Sequence, residues 1–278
     1  MTSRRFLAVA APVVFVATTA PRSAAAQGSG FSYTFIAQVH NSDPDGKATD
    51  HIAMSGHASI LGDRTRIDFD SLTGQLAGMR GGYFFSLDAG ARAVFVNPKA
   101  KRYLEMPMQM LAQHFTRLVT GASGAANTNA SDVHLDVVTV GAGPTMLGRA
   151  TTHYRLVAVY TINTPAETWR DSTVNDLYYA PDLKNFINPF LSLVPAMLDG
   201  MGMYGSAYDQ QYMAARAKLY QGGAPLRTVS NFTITDARGK AASIVVTTEV
   251  TQLSAGDVNP SIFDIPTDYR KQTIGLPQ

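Results

Sequence analysis

Six histidines, scattered carboxylates and an absence of cysteine are the chain's stock of chemistry-bearing side chains. Without cysteine there is no thiol nucleophile, thiolate metal site or disulfide framework. His51 and His57 lie six residues apart beside Asp50, a spacing that puts both histidines on one face of a strand. Zinc needs a third ligand held nearby, and no spacing in the chain provides it. They read as exposed strand histidines. Asn41-Ser42-Asp43-Pro44-Asp45-Gly46 copies the start of a calcium loop, but the twelfth position falls on Ile52, which cannot ligate. A turn-rich hairpin loop explains the same residues. Ser55-Gly56-His57 and Gly121-Ala122-Ser123-Gly124 lack the G-x-S-x-G elbow, and Gly141-Ala142-Gly143 leads into Pro144 with no helix to follow. No acid/base pair of carboxylates stands out. The residues predict no catalytic site, no metal and no cofactor.

The seven methionines at 106, 108, 110, 197, 201, 203 and 213 lie in or beside predicted helices. Methionine adapts its shape to varied apolar partners, and it also fills ordinary cores. Their concentration in two helical blocks is what suggests an apolar ligand.

The elements that must position such a site are mostly strands. Arg64 to Asp70 alternates charged and apolar residues. Tyr83 to Asp88, Ala93 to Asn97 and Arg102 to Met106 are short, aromatic or β-branched, and bounded by Gly, Asp, Asn or Pro. Together they predict an antiparallel meander with one face in solvent. Phe31 to His40, His51 to Leu61, Val133 to Val137, Thr152 to Tyr160, Trp169 to Tyr179, Leu226 to Thr235 and Ala242 to Leu253 read as further strands. Gly62-Asp63 turns between two of them. Met108, Leu111, Phe115 and Leu118 hold helical spacing, as do Phe186, Phe190, Leu193 and Met197, although Pro189 and Pro195 must break or kink that second run. Tyr208, Tyr212, Ala215 and Leu219 form another helical stripe, closed by Gly222-Gly223. Many strands with segregated helical blocks predict an α+β fold, with helices gathered on one side of an antiparallel sheet.

Residues 1–26 read as a signal peptide: Arg4 and Arg5, an apolar run from Phe6 to Ala20, and Ala24-Ala25-Ala26 as the cleavage site. An uncleaved membrane anchor is the alternative. Ser3-Arg4-Arg5-Phe6-Leu7 also fits a twin-arginine leader, with the general secretory route as the other option. Residues 27–278 then form one domain, periplasmic or secreted, with no membrane span once the leader is gone. The formal net charge is +2, and removing Arg4, Arg5 and Arg22 brings bases and acids into near balance. No electrostatic footprint for nucleic acid remains. Charged residues make up 16% of the chain, against about 25% in ordinary soluble domains, which leaves much apolar surface to bury or to line a cavity.

Several motifs occur in a fixed order. Arg64-Thr65-Arg66-Ile67-Asp68 precedes Val96-Asn97-Pro98-Lys99-Ala100-Lys101-Arg102-Tyr103-Leu104-Glu105-Met106. Leu147 to Leu156, Leu177 to Leu183 and Phe263 to Tyr269 follow. This order resembles the DUF4412 family and, more distantly, the LolA-like superfamily of periplasmic lipoprotein carriers. The resemblance implies an unclosed antiparallel β half-barrel with helices as a lid on the concave face, over a cavity that in the carriers receives acyl chains. The resemblance carries over none of the carriers' functional residues to positions of this chain.

Period-2 alternation predicts Phe35, Phe69, Phe85, Phe95, Tyr154 and Leu156 as the cavity lining, with only one of Phe84 and Phe85 able to point inward. Met197, Met201 and Met213 approach from the lid. The functional expectation is a non-catalytic protein that holds a lipid, an acyl chain or another apolar ligand. The alternative is an envelope or extracellular interaction module that docks a protein partner and fills its own cavity.

Overall fold

A computed structural model describes residues 30–42, 48–72, 80–88, 91–107, 110, 129–163, 168–183, 211, 214, 215, 217–219, 222–235, 239 and 241–272. The first six strands are β1 (Gly30–Ser42), β2 (Ala48–Leu61), β3 (Arg64–Leu72), β4 (Tyr83–Leu87), β5 (Arg92–Asn97) and β6 (Arg102–Pro107). Then come β7 (Asn129–Ala142), β8 (Thr152–Asn163), β9 (Thr168–Ala180), β10 (Ala224–Thr235) and β11 (Ala241–Gly256). A 3-10 helix (Pro260–Phe263) and β12 (Arg270–Gln272) follow. All twelve strands form one sheet in the order β12-β6-β5-β4-β3-β2-β1-β11-β10-β9-β8-β7. Neighbours are antiparallel except β12, which runs parallel to β6.

The sheet is two meanders joined at a seam. β2 to β6 and β7 to β10 each follow chain order, and β1 pairs with β11 from Gly30↔Gly256 to Ser42↔Ser243. The Gly62-Asp63 turn places Leu61 across from Arg64, and Gly62 takes φ +61°, a conformation that glycine adopts without strain. Gly223, at φ +93°, is held more tightly: a Cβ there would lie 2.1 Å from the Ala180 carbonyl oxygen. Only glycine lets the chain re-enter the sheet so close to the end of β9.

The α+β half-barrel with a helical lid is not the fold. Among the described residues the protein is nearly all β, its twelve-stranded sheet does not close on itself, and the one helix with defined bounds is the 3-10 turn. Helical spacing between Pro107 and Gly121 and between Pro181 and Gly223 supported the lid, and most of those residues lie outside the described ones. Helical positions within 211–219 set Ala215 and Leu219 against β7 to β9. The strands also run longer than the alternating cores suggested. β7 has 14 residues and β11 has 16, because alternation marks only the half-buried middle of a strand while the ladder continues past it.

One face of the sheet, here the inner face, carries two apolar clusters. The first gathers Tyr33, Phe35, Ile67, Phe69, Phe84 and Leu226 with their neighbours. The second gathers Val137, Leu156, Tyr160, Leu177, Tyr179 and Leu219. The outer face of β3 to β6 is also covered. Tyr83, Phe85, Val94 and Val96 form a third cluster, against which Ile265 and Tyr269 pack. Arg66 holds the C-terminal segment in place. Its Nη1 donates to the Ile262 carbonyl at 2.7 Å, two further nitrogens grip Asp68, and the guanidinium lies 3.7 Å from the Tyr83 ring centre. Arg64 stands 5.0 Å over Phe263. The charged face of β3, expected in solvent, is thus partly a docking surface for the chain's own C-terminal segment.

Candidate functional site

In an antiparallel sheet, residues directly opposite each other share a face, so the pairing assigns every side chain to a side. Phe35 and Phe69 lie in the first inner cluster, and Phe95 packs against it, 5.0 Å from Phe84 between ring centres. Leu156 lies in the second cluster with Tyr154 beside it. Phe85 does not join them. It sits on the outer face, stacked on Tyr83 at 6.1 Å, and Phe84 takes the inner position. The sequence offered no way to choose, because both residues are fully buried and β4 reads as one apolar run. Met197, Met201 and Met213 lie outside the described residues.

Between the two inner clusters lies a group of residues that sequence reasoning missed. Asp171, Thr173 and Asn175 occupy alternate positions of β9. Their partners across the ladders are Tyr160, Ala158 and Leu156 on β8, and Ser230 stands across from Asn175 on β10. Thr228 on β10 faces Thr248 on β11. All of these polar residues are buried: Asn175 is 1% exposed and Asp171 8%. A polar row therefore crosses an otherwise apolar face. Its only sequence signal was the weak contrast within β9, where Ser172 and Asp176 flank the row residues and are polar too.

The row is incompletely satisfied. The Tyr160 hydroxyl donates to Asp171 Oδ2 at 3.0 Å, yet Asp171 Oδ1 and Asn175 Oδ1 have no hydrogen-bond partner. A buried acceptor left unpaired costs about 1–3 kcal/mol, so two on one strand call for a reason. Burial pushes the Asp171 carboxyl up to about 6, against the opposing pull of hydrogen bonds from Tyr160 and the Ser172 backbone. A carboxyl tuned in this way can act as an acid or base, but no second carboxylate shares its face among the described residues.

On the outer face of β8 and β9 the polar groups are paired. His153 Nε2 lies 2.7 Å from Asp176 Oδ1, Arg155 Nε donates to the same oxygen at 2.9 Å, and the His153 ring stacks on Tyr178 at 4.7 Å. Burial pushes the Asp176 carboxyl up, but the hydrogen bonds from Arg155 and His153 outweigh it and hold it below the usual range. The other candidates do not assemble. His57 meets Asp70 at 3.0 Å on the surface. A register shift at Ala37/Gln38 sets His57 across from Thr34 and His51 across from Val39, so the bulge breaks the period that aligned the two histidines. The calcium-like loop falls mostly outside the described residues, as do Gly121 to Gly124. Among the described residues no three His, Asp or Glu side chains converge as metal ligands.

β7 is one edge of the sheet, and residues within 211–219 cover part of it. The Leu135 N–H donates to Gln211 Oε1 at 2.8 Å, Gln211 Nε2 donates to the Val133 carbonyl at 3.3 Å, and Lys218 Nζ donates to the Val137 carbonyl. Beyond Val137 the strand is uncovered: Val138 is 43% exposed and Val140 52%. Leu147 is exposed too, at the lip of an open cleft of about 630 Å³ that includes the Arg149–Asp182 ion pair.

No protein-family model and no curated protein matches the chain, so neither comparison supports the likeness to DUF4412 and LolA-like proteins. Among solved structures it is similar to PNGF-II in space group C2, at 12% identity and a TM-score of 0.36, covering 88% of this chain and 31% of that one. A second PNGF-II structure, in space group P21, gives 10% identity and a TM-score of 0.28, covering 82% of this chain and 29% of that one. The chain thus spans about a third of the length of these structures.

Proposed function

We propose that this is an exported, non-catalytic binding protein, periplasmic or secreted after loss of residues 1–26, which holds a lipid, acyl chain or other amphiphile on the inner face of its sheet. The observation that carries this reading is the pair of unpartnered acceptors, Asp171 Oδ1 and Asn175 Oδ1, set between two apolar clusters. A ligand with a polar end and an apolar body meets both needs at once. Each methylene it buries contributes about 0.8 kcal/mol before ordering costs. Leu156 stands directly across from Asn175 and marks where apolar and polar surfaces meet.

The test is titration with a fluorescent fatty-acid probe. Wild type is expected to bind saturably, and Leu156→Trp to bind more weakly while keeping its circular dichroism spectrum. The exposed valines of β7 favour a second reading, an interaction module whose partner is another envelope protein. Absence of saturable binding in wild type rejects the first reading and leaves the second. Intact mass of the exported protein checks the leader: a chain that retains residues 1–26 overturns the assignment.

A further inference from the structure

The polar row is specific about what it can accept. Its unpaired atoms are both acceptors, so they call for donors. Asp171 and Asn175 are four positions apart on one strand, about 13 Å, with the Thr173 hydroxyl midway. No single ammonium or hydroxyl reaches both ends. Among the described residues, the buried polar side chains of the inner face, Ser230, Thr228 and Thr248 among them, include no lysine, arginine or histidine, so none of them would neutralise a phosphate or carboxylate. The apolar clusters that flank the row accept no such charge either. A headgroup that fits is uncharged, extended, and carries hydroxyl or amide donors along its length.

Resting on the binding reading above, we infer that the ligand is a glycolipid-like amphiphile whose neutral, polyhydroxylated headgroup lies along Asp171, Thr173 and Asn175. Its hydroxyls donate to the two orphan acceptors, and its chain extends over one of the flanking apolar clusters.

Three probes with the same twelve-carbon tail separate headgroup from tail: dodecyl maltoside, dodecanoate and dodecyltrimethylammonium, each titrated calorimetrically below its critical micelle concentration. Wild type is expected to bind the maltoside at least tenfold more tightly than either ion. Asn175→Leu removes an acceptor and Thr173→Val removes a hydroxyl at constant shape. Each is expected to bring the maltoside down towards the ions without changing the ions' own affinity. Equal affinity for all three probes in wild type overturns the headgroup inference and leaves the binding reading standing. The same holds for a preference that survives in both folded variants, or for tighter binding of either ion. Binding of none of the three rejects the binding reading itself.

Discussion

The two meanders solve the same problem differently. In β2 to β6 apolar side chains fill the inner face, and those on the outer face of β4 and β5 are covered by the chain's own C-terminal segment. In β7 to β10 the outer face carries ion pairs, and the inner face alternates between apolar clusters and a polar row. The first meander is closed by the protein itself. The second keeps two buried acceptors waiting for donors. Ser86 is the one comparable atom among the described residues of the first meander: its hydroxyl is buried and unpartnered across from Thr65. A lone hydroxyl is a small defect, whereas a carboxylate and an amide on one strand form a pattern. Under the proposed function, the apolar meander is scaffold and the polar one is where recognition occurs.

The sharpest way to break this comparison is to remove scaffold. Phe84 is fully buried, and Phe84→Ala is expected to cost about 3–5 kcal/mol in urea unfolding. A cost below about 1 kcal/mol would mean the first meander is not the structural core.

Next in size is the carboxyl of the polar row. Asp171 is raised from 3.8 to about 6 in the folded protein, so the native state holds this proton more tightly than the unfolded chain does. Its contribution to stability is greatest below about pH 4, falls as pH climbs to about 6 and stays low above, a cost on the order of 3 kcal/mol. Asp171→Asn should therefore be more stable than wild type at pH 7.5 and no more stable at pH 3.5. An unchanged pH slope in the variant would show that the carboxyl is not buried as described.

A smaller effect separates pattern from defect. Asn175→Leu and Ser86→Ala each remove an unpaired buried acceptor and should raise stability of the ligand-free protein by about 1 kcal/mol. Only Asn175→Leu should also weaken ligand binding. If both do so, or neither, the two meanders are functionally alike. The smallest effect lies at the surface: Lys101 and Asp268 pair at 2.7 Å in full exposure, and Lys101→Met should leave the melting temperature unchanged.

Much of the first meander was legible in the sequence because its strands are bounded by turn residues and β3 alternates strictly. Thr65, Ile67 and Phe69 are buried on β3 just as their spacing predicts. β4 was not legible, because a strand buried on both sides shows no alternation, and what buries its outer side lies near residue 265. The polar row escaped for the opposite reason. Both faces of β9 carry polar residues, so only the identity of the neighbouring strands reveals that Thr173 and Asn175 face inward while Asp176 faces out. The one-face spacing of His51 and His57 does not hold in the ladder, because a single bulge between them, invisible in sequence, shifts the register. The fold class was misjudged because helical spacing was weighed as a structural layer, while the seam between β1 and β11 joins residues that no local pattern can relate.

That seam also sets a timetable. Of the twelve strands described, β1 leaves the ribosome first, and its partner β11 follows only after β2 to β10. The two meanders are local and can collapse early, each on its own residues. Closing the gap between them means bringing together ends separated by almost the whole folded chain, the slowest kind of contact to form. Until β11 arrives, β1 and β10 both present bare edges that can pair with any extended segment nearby. This waiting period keeps the chain open to other extended segments. The same delay makes it dependent on whatever shields those edges along the way.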